Sequence, residues 1–540
     1  MKKLSFIAIL ALLSSACTQN TSIVWYEGET MENGTAQHRI VVSNPPKGDY
    51  YVSFAMTPLA YQMGADSQGV IENVCGPLYK VVPGPATKAA DSLVVTYIQE
   101  PLRLRPWAPE GFYLVDAKGN TTKLDVEYRF QPIDDAQGFY EEYAQRTPGK
   151  AANMRIIPEV KSIVMATDKG SGIPEGYTGI FAQQNLKWVK GKPAGWYSLL
   201  LDGEVTLECA DEDAQFYALT TFTKLLAQNG GEQVPNCRIT DWPDMQYRGI
   251  MLDVSRNFTS AENVKKVLDV MSMYKANAFQ FHIVDDEGWR LEIKGLPELT
   301  QVGAFHRIGD ETQALHPSYN GLSAEKGSSS DGYYTREQFI DILQYAKNLH
   351  IKVIPEIESP GHARAAIVAM KAYAKRTGDE SYLLHDPLDQ SVYSSAQEYH
   401  DNAMNVASEN VYRFMAHVID DLVSIYEEAG VEFDCIHLGG DEVPVGSWIG
   451  SPQVKEFMAQ HGYTTAAQMK SYFVRRMVEI CSSRGLKIGG WQEIAQNNDP
   501  ETRAMLAGAL YGTNFWTGSP AIAAELCKEG YKVLVSDVTH

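Results

Sequence analysis

The run His437-Leu438-Gly439-Gly440-Asp441-Glu442 sets two carboxyl groups and an imidazole beside a pair of glycines. Arg256, Asp285-Asp286-Glu287, Glu356 and Glu358 with His362, Trp491 with Glu493, and Trp516 each follow or end an apolar run. Acids, tryptophans and an arginine gathered at one mouth suit a sugar. Aromatic faces take its C–H groups and charged side chains take its hydroxyls. Breaking a glycosidic bond needs a proton donor for the leaving oxygen and a group that stabilises positive charge at the anomeric carbon. Retaining enzymes usually place two carboxyls about 5–5.5 Å apart, and inverting ones about 6.5–9.5 Å. Asp441 and Glu442 are adjacent, and neighbours in extended chain point to opposite sides. The pair is therefore not expected to flank one bond. One acid would serve the leaving oxygen while the other holds a different substituent, as when a substrate's acetamido oxygen replaces the enzyme nucleophile. Gly439-Gly440 would let the backbone approach the sugar.

Simpler readings compete. Asp285-Asp286-Glu287 with His282 offers metal-type ligands, which would make a metal-dependent hydrolase. No spacing resembles a closed zinc site, however, and neither metal nor cofactor is expected. Arg256 also reads as a structural partner of Asp253, His362 as satisfying loop backbone after Pro360-Gly361, and Trp516 as a packed barrel aromatic.

A scaffold must bring these residues together. Apolar runs at 248–254, 278–284, 351–356, 433–438, 486–491, 510–516 and 531–536 alternate with helical patterns. Ser260 and Thr335 stand at cap positions, Thr335 with Gln338 in a capping box. Alternation predicts parallel strands. Polar residues at the strand ends favour a (β/α)8 TIM barrel over an open doubly wound sheet, and no glycine-rich phosphate fingerprint follows any strand. The barrel is assigned to 243–540, with long loops at 288–333 and 363–408. Residues 18–150 read as a β-sandwich, with Trp25, Tyr26 and Trp107 expected to serve packing more than sugar stacking. Residues 151–242 read as a small α+β domain. Its helix begins near Asp211 or Asp213 and carries Phe216, Leu219, Phe222, Leu225 and Leu226 on one face.

Composition narrows the partners. The 540 residues include 47 Lys+Arg and 67 Asp+Glu, a formal charge of −20, which argues against nucleic-acid binding. Hydrophobic residues at 44% and charged residues at 21% exclude wholesale disorder. Seven cysteines without a Cys-x-x-Cys pair imply no disulfide framework. Most should be small buried apolar residues. Residues 1–17 have a basic start, a short apolar run and small residues before Cys17, which resembles a bacterial lipoprotein signal. Cys17 is the expected lipidation site. An exported, lipid-anchored protein of the periplasm or outer membrane and cell surface follows.

The His437–Glu442 run resembles the signature of family 20 glycoside hydrolases, the β-N-acetylhexosaminidases. Leu252-Asp253-Val254-Ser255-Arg256, His282-Ile283-Val284-Asp285-Asp286, Pro355-Glu356-Ile357-Glu358-Ser359-Pro360-Gly361-His362 and Trp491-Gln492-Glu493 are similar to further motifs of that family, in its order. The resemblance runs from about residue 150 to 540. It implies that Glu442 is the general acid and then the base that activates water, with a pKa raised by an enclosed site. Asp441 would hold the acetamido group and offset charge on an oxazolinium-like intermediate. Arg256 would grip the 3- and 4-hydroxyls. Asp285 and His362 would orient Glu442, and Trp491 and Trp516 would wall the acetamido pocket. Glu358 and His437 join them as substrate-side candidates. The family pattern also holds a Tyr with an Asp or Asn after the seventh strand, and an eighth strand with Trp and Glu. The sequence ends at His540 before these, so a barrel without its last strand is expected. The implied activity is removal of terminal non-reducing GlcNAc or GalNAc from a glycan, with retention. The alternative is a catalytically idle glycan-binding surface lipoprotein.

Overall fold

In the N-terminal part, alternating side chains build two sheets on one core. In strand Ala36–Ser43, Ala36, His38, Ile40 and Val42 are buried while Gln37 and Arg39 face solvent. This strand pairs with Ser22–Tyr26 and Ser92–Gln99 in a five-stranded sheet. A second five-stranded sheet centres on Tyr50–Ala55, Leu78–Pro83 and Glu110–Asp116. Trp25, Ile40 and Val95 of the first share a core with Val52, Phe54 and Phe112 of the second. Trp25 is wholly buried and donates Nε1–H to the Tyr97 hydroxyl at 3.0 Å, so it packs and is closed to sugar.

The computed structural model describes residues 20–57, 61–102, 105–132, 156–166, 171–172, 185–228, 233–234, 236–318 and 329–536. The leader and Cys17 lie outside the described residues. Met1–Pro132 and Ile133–His540 form separate compact units.

The second unit begins with a five-stranded sheet that includes Tyr197–Leu201, Val205–Cys209 and Cys237–Asp241. Helix Glu212–Gln228 lies on it through Ala214, Tyr217, Ala218, Phe222 and Leu225. Leu219, expected on that face, is exposed instead. Phe222 and Leu225 of the expected stripe are buried, Phe216 and Leu226 pack at the edge of the same core, and Ala214, Tyr217 and Ala218 complete the face.

Seven parallel strands follow, each paired with the next: β1 (Gly249–Asp253), β2 (Ala278–Asp285), β3 (Lys352–Ile357), β4 (Cys435–His437), β5 (Lys487–Trp491), β6 (Leu510–Phe515) and β7 (Val533–Val535). Side chains meeting inside the sheet show that it curls. Asn514 of β6 donates to Gln280 Oε1 of β2 at 2.8 Å, and Gln280 donates to Glu356 Oε2 of β3 at 2.8 Å. In a flat sheet β2 and β6, four strands apart, would lie about 19 Å from each other. Every residue of β2 is buried, as expected for a strand with side chains inside the curl and helices outside.

The helices start where the caps indicated. Ser260 accepts from Asn263 N ahead of Ala261–Met273, and Thr335 and Gln338 form a reciprocal capping box ahead of Arg336–Asn348. The segment 363–408, expected as loop, opens instead with helix Arg364–Thr377. Its consecutive run from Arg364 to Met370 is buried, and exposure begins in its last two turns. Cys209, Cys237, Cys435 and Cys481 are buried, matching the expectation for small apolar residues. Among the described residues no helix is long and apolar enough to cross a membrane.

Candidate active site

The turn after β4 fixes the two adjacent acids. Gly439 and Gly440 have φ of +65° and +90°, and Glu442 itself has φ of +43°. A Cβ on Gly439 would collide with the Glu358 carboxylate, so glycine is required there for space as well as conformation. The strand has ended at His437, and the alternation expected of extended chain does not apply. Asp441 and Glu442 therefore converge. Asp441 Oδ2 lies 3.7 Å and Glu442 Oε2 3.3 Å from the same atom, His362 Nε2.

His362 comes from the loop after β3, with φ of +48°, and is nearly fully buried. Its Nδ1 lies 3.2 Å from Asp285 Oδ1 and 3.2 Å from Asp286 Oδ2, both from the end of β2. Burial opposes a charge on this ring, but Asp285 and Asp441, with the contacts to Asp285 and Asp286, hold its pKa well above the ordinary histidine value. It is an imidazolium between two pairs of acids.

The acids respond differently. Burial would raise Asp285, but Arg256, His362 and His282 hold it well below the usual carboxylate range. Burial, opposed by His362 and reinforced by Asp285, Glu356 and Glu442, lifts Asp441 above that range. Glu442 runs against expectation. Its contact with His362 lowers its pKa by more than burial raises it, so the free site does not hold it protonated in the way the enclosed-site argument required. The reason is the imidazolium, which the sequence placed 80 residues away and which packs directly on its carboxylate.

Arg256 follows β1 and contacts three acids. Its Nη1 lies 2.8 Å from Asp253 Oδ2, Nη2 lies 2.7 Å from Asp285 Oδ2 and Nε lies 3.5 Å from Glu287 Oε2. The structural pairing with Asp253 and a place beside the site thus hold together. Glu287 and Glu358 are buried, and neither carboxyl has a hydrogen-bond partner. Burial, with Asp285 facing the first and Asp441 the second, pushes both well above the usual range. His437 lies deeper than the mouth. Its Nδ1 is 2.9 Å from Glu356 Oε1 and its ring meets Trp491 edge-on, centroids 5.4 Å apart. Trp491 and Trp516 meet at 6.2 Å and 67°, and Trp516 donates Nε1–H to Glu493 Oε2 at 3.2 Å.

Among the described residues, three trios bring possible ligand atoms within 4.8 Å of one another: His282, Glu356 and Glu358; Asp285, Asp286 and His362; and His362, Asp441 and Glu442. Each contains a histidine held well above its ordinary pKa. In each trio the neighbouring carboxylates favour the charged ring, so the three groups also form ion networks.

Several neighbours were not singled out from sequence. Gln397 reaches from the long loop after β3 to Glu442 Oε2, with Nε2 at 3.4 Å. Asn402 donates to Asp286 Oδ2 at 2.9 Å, and the Arg364 backbone N–H donates to Asp286 Oδ1 at 3.0 Å. An amide in an irregular loop has no periodicity or motif to mark it. Asp286 did carry a signal, as the second acid of an acidic triplet at a strand end.

A curled parallel strand–helix sheet with acids and tryptophans at its C-terminal strand ends has the layout of a glycoside hydrolase. Residues 245–540 match the family model described as glycosyl hydrolase family 20, catalytic domain, and residues 164–242 match that of glycosyl hydrolase family 20, domain 2. The chain belongs to glycosyl hydrolase family 20. A beta-hexosaminidase of Vibrio vulnificus is 36% identical over 388 residues, covering 69% of this chain and 44% of that protein. Beta-hexosaminidase B of Pseudoalteromonas piscicida is 32% identical over 428 residues, covering 73% and 53%. The chain thus spans about half the length of these curated relatives. The crystal structure of a Vibrio harveyi GH20 exo beta-N-acetylglucosaminidase in complex with N-acetylglucosamine superimposes with a TM-score of 0.74 at 23% identity. The match covers 95% of this chain and 81% of that one and speaks to the fold.

Proposed function

We propose that the chain is an exo-acting β-N-acetylhexosaminidase that removes terminal GlcNAc or GalNAc from glycans with retention, through the substrate's own acetamido group. The curled sheet is read as a (β/α)8 barrel and the paired N-terminal sheets as a β-sandwich. The observation that carries the proposal is the line Asp285–His362–Glu442 with Asp441 converging on the same imidazolium nitrogen. Glu442 protonates the glycosidic oxygen while the acetamido oxygen attacks the anomeric carbon. Asp441 holds the acetamido N–H and offsets the positive charge of the oxazolinium-like species. Glu442, now ionised, takes a proton from water as it opens that ring with the original configuration restored. Arg256 binds ring hydroxyls, and Trp491 and Trp516 enclose the acetamido methyl.

An aryl β-N-acetylglucosaminide tests this against the matching aryl β-glucoside, which lacks the internal nucleophile. The first should be hydrolysed and the second left intact. Comparable turnover of the glucoside would exclude the acetamido mechanism, and binding of acetylated sugars without any turnover would favour the idle binder.

The low pKa of Glu442 in the free site has a kinetic consequence. Its side chain is 29% exposed, and a bound sugar covers it and raises the cost of its charge. Substrate binding then takes up a proton. A general acid is lost as pH rises through its pKa. The alkaline limb of kcat/KM, which reports the free enzyme, should therefore lie at lower pH than that of kcat, which reports the complex. KM should rise with pH between the two limbs. Coincident limbs in a pH–rate series would rule out proton uptake on binding.

Export and lipid anchoring through Cys17 belong to the same proposal and rest on the leader sequence. Cys17→Ser should move the protein out of the membrane fraction. Unchanged membrane association would count against the anchor.

A further inference from the structure

The inside of the curled sheet is polar where a (β/α)8 barrel is usually filled by branched aliphatic side chains. Gln280 and His282 of β2, two residues apart and so on one face, Glu356 of β3, His437 of β4 and Asn514 of β6 are all buried. Burying charge is costly even when it is paired, and aliphatic residues of similar volume often do as well or better. A charged core beneath the acids therefore calls for a reason.

Its members meet in order. Glu356 Oε1 lies 2.9 Å from His437 Nδ1, while Oε2 accepts from Gln280 and lies 3.2 Å from His282 Nδ1. Glu358 Oε1 is farther from that nitrogen, at 3.9 Å. The other nitrogen of the ring, Nε2, lies 2.9 Å from Asp285 Oδ2. Asp285 Oδ1 lies 3.2 Å from His362 Nδ1, and His362 Nε2 lies 3.3 Å from Glu442 Oε2. Carboxylate and imidazole thus alternate from the core to the acid: Glu356, His282, Asp285, His362, Glu442.

His282 has a carboxylate at each ring nitrogen, so its ring cannot turn without losing one. Burial opposes its charge, but Glu356, Asp253 and Asp285 hold its pKa well above the ordinary histidine value. Asp285 Oδ2 is gripped from two sides, by His282 and by Arg256 Nη2 at 2.7 Å, which leaves Oδ1 to His362 and to the Asp286 N–H. Arg256 is partly exposed and is the proposed ligand of the sugar's hydroxyls. His282, buried below it, is the grip that an incoming sugar does not compete for.

We propose that His282 is a positioning residue for the reaction, held by Glu356 and acting through Asp285 to keep His362 set against Glu442. The proposal rests on Glu442 being the acid that protonates the leaving oxygen.

The test is steady-state kinetics of the full chain on methyl β-N-acetylglucosaminide and on an aryl glycoside with a good leaving group. In His282→Asn the amide nitrogen stops one bond short of the place of Nε2, so Asp285 loses that grip. On the methyl glycoside kcat should fall by about 10–10²-fold, the scale of a slightly misplaced catalytic group, with KM changed by less than about twofold. The aryl glycoside should lose less, because its leaving group needs little protonation. In an Asp285→Asn background, where the line is already cut, adding His282→Asn should change kcat by less than about twofold, since members of one network are not additive. Unchanged kcat in His282→Asn, equal losses on the two substrates, or a full further loss in the Asp285→Asn background overturns the proposal. If His282→Asn does not fold, Glu356→Gln, which keeps the size of the side chain and removes its charge, cuts the line one link deeper. It should show the same smaller loss on the aryl glycoside, and equal losses there overturn the proposal too. Failure of the wild type to hydrolyse either glycoside would remove the hydrolase reading itself. Wild-type hydrolysis that His282→Asn leaves intact removes only the positioning role.

Discussion

Glu442→Gln is expected to lower kcat on alkyl N-acetylglucosaminides by about 10²–10⁴-fold, the range that a positioned acid supplies. Glutamine keeps the size of the side chain and its contact with Gln397, but it has no proton to give the leaving oxygen and cannot accept one from water. The loss should be smaller on aryl glycosides with good leaving groups, which need little protonation. KM should change much less than kcat, because Glu442 touches the bond being broken and is not among the groups proposed to bind hydroxyls. The fold should survive: the side chain is partly exposed, and His362 keeps Asp285, Asp286 and Asp441 as partners. Steady-state kinetics on both substrate classes with a urea melt gives the answer, and full activity of the variant would end the assignment of the acid.

Arg290→Met should destabilise the second unit by about 4 kcal/mol or more. Arg290 is wholly buried and binds backbone carbonyls. Nε donates to Val254 O at 3.0 Å, Nη2 to Ser255 O at 2.6 Å, and Nη1 to Ala304 O at 2.9 Å and Gly332 O at 3.1 Å. Burial pushes the guanidinium down to about 10, still a cation at neutral pH. Methionine fills much of the volume but leaves these carbonyls in a dry interior, at about 1–3 kcal/mol for each that finds no other donor. Losses of this size come from a few mechanisms, and stranded buried polar groups are one. The tethered segment Val254-Ser255 leads directly to Arg256, so activity should fall with stability. Urea unfolding of variant and wild type measures the loss. A change under about 1 kcal/mol would mean that water or a rearranged backbone serves the carbonyls.

Local pattern in the amino-acid sequence determined a good deal here. The seven strands lie within a few residues of the apolar runs: β2, β3 and β4 are buried almost throughout, as uninterrupted apolar segments require, whereas the edge strands β1 and β7 are largely uncovered. The helix starts at Ser260 and Thr335 followed from cap chemistry that acts over three residues. The ordered motifs around Arg256, Asp285, His362, Asp441 and Trp491 indicated the family without any coordinates.

Tertiary structure decided what depends on groups distant in the chain. Asp441 and Glu442 converge because a glycine-led turn replaces extended chain and His362 draws both carboxylates to one nitrogen. For the same reason the pKa of Glu442 falls where burial alone would raise it. Helix Arg364–Thr377 stands in a segment that reads as loop; its first half, Arg364–Met370, is buried without interruption, while Lys375–Thr377 are exposed. Gln397 and Arg290 stand in irregular segments, where residue type says nothing of direction, and their partners were set by how loops pack on the finished sheet. Sequence specifies what repeats along the chain. The charge balance of the site came from side chains about eighty to nearly two hundred residues apart, and only the curling of the sheet puts them in contact.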